Sequence, residues 1–396
     1  MRGGQVFDGT GADCAEADIT FEDGRIVDVG HGLDGDVLID ASGMSVIPGL
    51  FDCHVHVTVS GADMASMTAR PFSYQFYEAA QNLSRTLDCG ITTVRDACGA
   101  DLGMVHALRN GLIDGPRMQV SITALSQTGG HCDGWLPSGL HLTPLVAHPG
   151  RPAGIVDGPD EVRREVRRII RAGADVIKVC TSGGVMSHTD KPQHAQFQDD
   201  ELQAIVAEAD AVDIPVMAHA HAAKGIRSAI RAGARSIEHG IFLDDETVEM
   251  MVERGTWLVP TLSAPHALID AAAAGTRRVP ASTLRKAQEI VEAHRTSMNR
   301  AAAAGVKIAM GTDSGLYPHG ANLRELDLMA KGGLTPAGAL AAATSSAAAL
   351  MRLDDELGTI APGKRADLVL VEGDALDFAG LKERIRGVIM NGMPAR

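Results

Sequence analysis

The chain is expected to fold as an α/β protein, a (β/α)8 TIM-like barrel with a small β-sandwich domain formed by both chain ends. Three observations lead there. Between residues 45 and 313, eight short apolar runs alternate with helix-patterned stretches. The two ends share another texture, short strands cut by Gly and Asp turns. Polar residues able to hold a metal recur at the ends of the strand runs, where side chains converge in a barrel of this kind.

Residues 1–48 read as β-rich in QVFDGTG, ADITFEDGRIVDVG and DVLIDASGMSVIPG. Asp23-Gly24 between ITFE and RIVDV is a strong hairpin signal. GTIAPGKRADLVLVEGD and IRGVIMNGMPA repeat that texture at the far end. Neither end buries a sheet alone, so 1–48 and 356–396 are expected to form one domain, with 49–355 as the barrel inserted between them. The barrel strands are expected at 45–57, 92–97, 117–126, 176–182, 215–221, 235–241, 256–263 and 306–313. Val162, Val166, Ile169 and Ile170 share one helical face, as do Leu202, Ile205, Val206 and Ala209. Thr335-Pro336 opens a further helix, Thr as cap and Pro in the first position. The long stretches 58–91 and 127–160 are read as insertions over the barrel mouth.

Length and composition set limits. The 396 residues suit a barrel plus an accessory domain. Aromatics are 3%, so the core must come mainly from Ala, Val, Ile, Leu and Met. A net charge of −14 argues against nucleic acid and anionic membranes as partners. The six cysteines are scattered without a CxxC pair and read as free thiols. No apolar run reaches 18 residues and the N-terminus lacks an apolar signal core, so a cytoplasmic protein is expected.

The chemistry lies in six residues at strand ends: His54 and His56 in FDCHVHV, Lys178 in VIKVC, His219 in VMAHAHA, His239 in SIEHG and Asp313 in MGTDSG. Together they read as a ligand set for two metal ions. His54 and His56 are two apart on a strand, so their rings project the same way, about 7 Å apart at Cα. Such a pair is either two satisfied core histidines or two nitrogen donors to one ion. Lys178 on a buried strand either meets a barrel carboxylate or is kept neutral and reacts with carbon dioxide, giving a carbamate able to bridge two cations. His221 repeats the spacing at the rim, where it suits substrate contact. Glu238, next to His239, is expected to point away as a structural residue. Asp313 can hold an ion and also accept a proton from water. His131, in TGGHCDG, is a loop histidine whose neighbours Gly129 and Gly130 let the backbone run close to a ligand. His188, His194, His266 and His319 also follow strands, without a spacing that singles them out.

This constellation resembles the amidohydrolase superfamily over nearly the whole chain. VIPGLFDCHVHV is similar to that family's entry into its first barrel strand, and LGTIAPGKRADLVLVEG to its return into the small domain. IKVCTSGGVMSHTD, AHAHAAKGI, IEHG and GTDSG resemble the branch that includes Xaa-Pro and Xaa-Arg/Lys dipeptidases and lies near the imidazolonepropionases. The resemblance implies two divalent ions, zinc first among them. It gives the more buried ion to His54, His56 and Asp313, the more exposed one to His219 and His239, and the bridge to carboxylated Lys178. It matches His131 and His221 to substrate-contacting positions. It also implies a homo-oligomer acting on a dipeptide-like or other small-molecule substrate, by hydrolysis of a peptide-like amide. The alternatives are hydrolysis of a non-peptide amide, urea, carbamate or cyclic amide, deamination at a single ion, which leaves Lys178 without a task, and a non-catalytic binding protein on the same barrel. Arg70, Tyr74, Tyr317 and Arg324 are candidates to bind a substrate carboxylate, and specificity is expected in the loops 58–75, 127–160, 183–197 and 264–282.

Overall fold

The computed structural model describes residues 1–187, 190–275 and 279–396. His188 and parts of the segments 183–197 and 264–282 lie outside the described residues.

The N-terminal run forms β1 (Gly4–Val6), β2 (Ala15–Glu22), β3 (Arg25–Gly30) and β4 (Met44–Pro48). Asp23 and Gly24 join β2 to β3 with φ of 49° and 78°, the two left-handed residues that a tight hairpin requires. The barrel strands follow: β5 (Leu50–Val55), β6 (Ile91–Asp96), β7 (Arg117–Val120), β8 (Ala124–Leu125), β9 (Ile177–Cys180), β10 (Val216–Ala220), β11 (Ser236–His239) and β12 (Trp257–Val259). The C-terminal end adds β13 (Leu368–Glu372), β14 (Ile385–Met390) and β15 (Met393–Pro394).

Strands from both ends join a single seven-stranded sheet, in the order β15-β14-β13-β4-β1-β2-β3, in place of the two facing sheets of the expected sandwich. The reason is β4, which pairs in parallel with β1 and antiparallel with β13 and so links the two ends edge to edge. The sheet curls far enough for Gly24 and Ile26 to bond Ala366, Lys364 and Gly363, just ahead of β13. Val6, Ile19, Ile26, Val46, Leu368 and Ile389 fill the space enclosed.

The barrel region contains two parallel sheets, β5-β6-β7 and β8-β9-β10-β11-β12. Two expected strands are less regular than their apolar runs imply. The third breaks at Ile122, whose φ is 66°, so that β7 pairs with β6 and β8 with β9. The eighth, 306–313, has only isolated bridges, Leu258–Ile308 and Val55–Ser314. Its backbone nevertheless runs between β12 and β5, taking the Cys53 amide on Met310 O at 2.9 Å and giving the Asp313 amide to His54 O at 2.7 Å. Gly311 permits this approach. A Cβ there would lie 2.3 Å from Val259 Cγ1 and 2.9 Å from His54 Cβ.

Helices pack their apolar stripes outside. Gly158–Arg171 buries Val162, Val166 and Ile169, leaving Ile170 partly exposed. Asp199–Asp210 buries Leu202, Ile205, Val206 and Ala209. Thr335 caps the helix Pro336–Ala342 by accepting from the Gly338 amide. No helix among the described residues is long and apolar enough to cross a membrane. Two buried histidines brace the chain behind the barrel mouth. His294 Nε2 meets His239 O at 3.0 Å, and His319 lies between Thr86 Oγ1 at 3.0 Å and His56 O at 3.3 Å. Burial holds both rings down to a pKa of about 4.

Gly311→Ala is expected to cost about 1–3 kcal/mol, as overpacking between two barrel strands does, read from its denaturation midpoint in urea. The two histidines give the fold an acid-side dependence. Their folded pKa lies below the unfolded value of 6.5, so their contribution is complete above pH 6.5 and is lost as pH falls toward 4. Each should cost roughly 2 kcal/mol of stability by pH 5. His294→Gln should show a shallower fall in stability between pH 7 and 5 than the parent.

Candidate metal centre

Strand alternation delivers the first donors. His54 and His56 leave one face of the first barrel segment, Lys178 comes from β9, His219 from β10, and His221 follows it. His239 and Asp313 arrive differently. Their φ values of 71° and 60° turn the backbone left-handed at the strand ends. Regular alternation would send His239 and Glu238 to opposite faces, but this turn brings both inward.

The side chains gather into two groups, His54 with His56 and Asp313, and His219 with His221 and His239. Within each group the potential donor atoms lie within 4.8 Å of one another. Asp313 Oδ1 is 3.2 Å from His56 Nε2 and 3.6 Å from His54 Nε2. The His54 and His239 rings are 5.0 Å apart, so the groups adjoin. Lys178, 3% exposed, has His54 Nε2 at 3.4 Å. Among the described residues no carboxylate forms an ion pair with it, which removes the salt-bridge reading of this lysine. His131 stacks on His219 at 4.1 Å, so all the predicted site residues meet in one place. The close contact that makes room for His131 is at Gly184, where a Cβ would lie 2.1 Å from its ring. Gly130 packs against Ser126 and Gln127, and a Cβ at Gly129 would meet open space.

The ring nitrogens divide these histidines. His54 Nδ1 is 2.7 Å from Glu238 Oε2, His56 Nδ1 is 3.1 Å from Cys98 O, His219 Nε2 is 3.3 Å from Gly183 O, and His239 Nδ1 is 2.6 Å from Thr261 Oγ1. Each of these rings has one nitrogen tied to a residue outside the two donor groups, and the second nitrogens of His54 and His56 face Asp313 within their own group, an arrangement that suits a metal-binding imidazole. His131 and His221 differ, since their buried Nδ1 atoms have no hydrogen-bond partner. Burial lowers the pKa of His54 and His131 to about 4 and pushes His219, His221 and His239 well below the usual range. These rings are therefore neutral at pH 7, the form that binds metal. His56 goes the other way: burial opposes its charge, but Cys98 and the Asp313 carboxylate outweigh it. Imidazole nitrogens with one carboxylate suit a borderline divalent ion such as zinc.

Three expectations need correction. Glu238 does not point away; it is fully buried against His54, and sequence alternation missed it because the strand ends one residue later. His221 groups with His219 and His239 as a possible donor, so distance alone does not separate it from them. Of the four candidates for a substrate carboxylate, none lines the cavity at this site. Arg70 pairs with Glu78 at 2.9 Å and Arg324 with Asp270 at 2.7 Å, while Tyr74 and Tyr317 line neighbouring hollows. The cavity is about 210 Å³, with apolar walls that include Met64, Trp135, Leu145, Met186, Leu268 and Ile290. Lys178 is the one lysine or arginine among its described lining residues.

The amidohydrolase family profile matches residues 45–394. An ochratoxinase from Aspergillus niger is 37% identical over 348 residues, 84% of this chain and 71% of its own length. A prolidase solved with N-methylphosphonate-L-proline superimposes with a TM-score of 0.91 at 36% identity, over 99% of this chain and 98% of the other. A Xaa-Pro dipeptidase solved with methionine in its active site gives 0.89 at 33% identity, over 99% and 98%. The barrel-like α/β architecture and the gathered donors thus have a common explanation: this chain belongs to the amidohydrolase family.

Proposed function

We propose that this protein is a metal-dependent hydrolase of a peptide-like amide bond, with a dipeptide or an N-acyl amino acid as substrate. The observation that carries the reading is the pair of donor groups around a buried lysine that has no carboxylate partner. In this reading His54, His56 and Asp313 would hold one divalent ion, His219 and His239 would hold a second, and Lys178, once carboxylated by carbon dioxide with loss of a proton, would serve as a ligand to both. Ions bound there would supply polarisation of the scissile carbonyl and a water whose pKa falls toward about 7.

The protein's own groups do the rest. Asp313 Oδ takes the proton from the attacking water and passes it to the leaving nitrogen. His131 and His221 each have a buried Nδ1 without a hydrogen-bond partner, and in this reading they hydrogen-bond the carbonyl oxygen as charge develops on it, or a substrate carboxylate. Asp133–Trp135 and Leu142–Leu145 line the same cavity beside these contacts.

One observation favours a second reading. The cavity walls are largely apolar and contain no arginine among the described residues, so an amide, urea or carbamate without a free carboxylate fits them as well. A side-by-side hydrolysis screen of dipeptides, N-acyl amino acids and aryl ureas separates the two. Turnover confined to carboxylate-free compounds would reject the dipeptide reading.

Lys178→Ala should lose bound metal and more activity than the roughly 100-fold that a lost oxyanion donor costs, with partial recovery on adding a short-chain carboxylate. Full activity with full metal content would end the bridging role. His131→Ala should lower kcat on the order of 100-fold while metal content, read by elemental analysis, stays at the parent level.

A further inference from the structure

His54 is engaged through both ring nitrogens. Nε2 faces Lys178 Nζ at 3.4 Å and Asp313 Oδ1 at 3.6 Å, and Nδ1 faces Glu238 Oε2 at 2.7 Å. Glu238 is anchored in turn. Its other oxygen accepts from Arg95 Nη2 at 3.0 Å and from Ser236 Oγ at 2.5 Å. Arg95 Nε donates to Cys53 O at 2.7 Å, the carbonyl immediately before His54. All four side chains are at most 2% exposed. They come from β5, β6 and β11, so three strands converge on one imidazole.

A carboxylate with a guanidinium and a hydroxyl on one oxygen has no hydrogen of its own to offer. The hydrogen in the His54–Glu238 contact therefore belongs to Nδ1, which leaves the lone pair on Nε2, toward Lys178 and Asp313. We propose that Glu238, held by Arg95 and Ser236, is a positioning residue that fixes the tautomer and ring direction of His54 and so sets the cation affinity of the His54–His56–Asp313 group. The inference rests on the metal-binding reading of that group. It adds a buried carboxylate whose removal should weaken metal binding without touching substrate.

Glu238→Gln tests it, because the amide keeps the size but cannot serve all its neighbours. If its oxygen accepts from Nδ1, its NH2 group confronts Arg95. If its NH2 group faces Nδ1, the His54 hydrogen moves to Nε2. Zinc affinity, measured on the full chain by competition with a chromophoric chelator, should fall about 10–100-fold. Excess zinc should restore kcat, and Glu238→Asp should recover part of the affinity. In chelator-treated parent protein, nitrogen-15 spectra should place the His54 hydrogen on Nδ1. Parental zinc affinity in Glu238→Gln, or a hydrogen on Nε2 in the parent, would overturn the inference alone. A parent that binds no divalent ion overturns the metal-binding reading as well. Should Glu238→Gln fail to fold, Ser236→Ala reads the same effect, with affinity several-fold weaker expected and an unchanged value counting against it.

Discussion

Burial decides the state of every imidazole in these two groups but one. A ring taken out of water is costly as a cation and tolerable as a neutral heterocycle, provided its polar atoms find partners. His54, His219 and His239 meet that condition halfway, through Glu238, Gly183 O and Thr261, and each keeps a second nitrogen to spend on something else. His56 is the exception: Cys98 and the Asp313 carboxylate, 3.2 Å from its Nε2, raise its pKa well above the usual range against the effect of burial. The same burial surrounds Lys178 with rings and withholds a carboxylate from it.

How much of this was legible in the sequence follows from which rule placed each residue. His54 and His56 could be read because two-residue spacing fixes a face, and that rule held. His239 and Asp313 were found by their position at strand ends, although the backbone there leaves the strand conformation. Glu238 was misread by the same alternation rule, since its neighbour, not Glu238, departs from the pleat. The hairpin at Asp23-Gly24 and the Thr335 cap were readable because their signals are local. The single curled sheet was not, because strand pairing across more than 300 residues leaves no mark in either segment alone. The carboxylate candidates failed for a related reason: loop residues have no periodicity, and Arg70 and Arg324 each sit near an acidic partner that no spacing announces.

The left-handed residues form a pattern of their own. Ile122, His239, Thr261 and Asp313 all have positive φ, and all fall at or just beyond the ends of barrel strands. A non-glycine residue in that region costs on the order of 1 kcal/mol. Ile122 and Thr261 are β-branched and carry the larger share of that strain. Three of the four line the cavity or brace a residue that does, since Thr261 holds His239. Ile122 instead breaks the third strand, from which the loop carrying His131 departs. The surrounding sheet over-determines these conformations, as Gly311 illustrates by letting two strands approach closer than any Cβ allows.

That strain bears on what the loops can do. Donors set on strand ends are fixed by the barrel, so a change of substrate need not disturb them. The wall from Asp133 to Leu145 belongs to a connecting segment and that from Ala264 to Leu268 to the helix Ser263–Ala273, and both are mostly apolar where they face the cavity, Asp133 and Thr143 apart. Recognition then has two parts with different physical origins. In the proposed reading, polar contacts to the scissile amide come from His131, His221 and the donor groups, and are the same for any amide that reaches them. Discrimination among substrates falls to the shape of an apolar wall, which separates ligands weakly, by about 1–3 kcal/mol per methylene. A site so divided should accept a family of related amides, ranked by how well their side chains fill the space beside Trp135 and Met186.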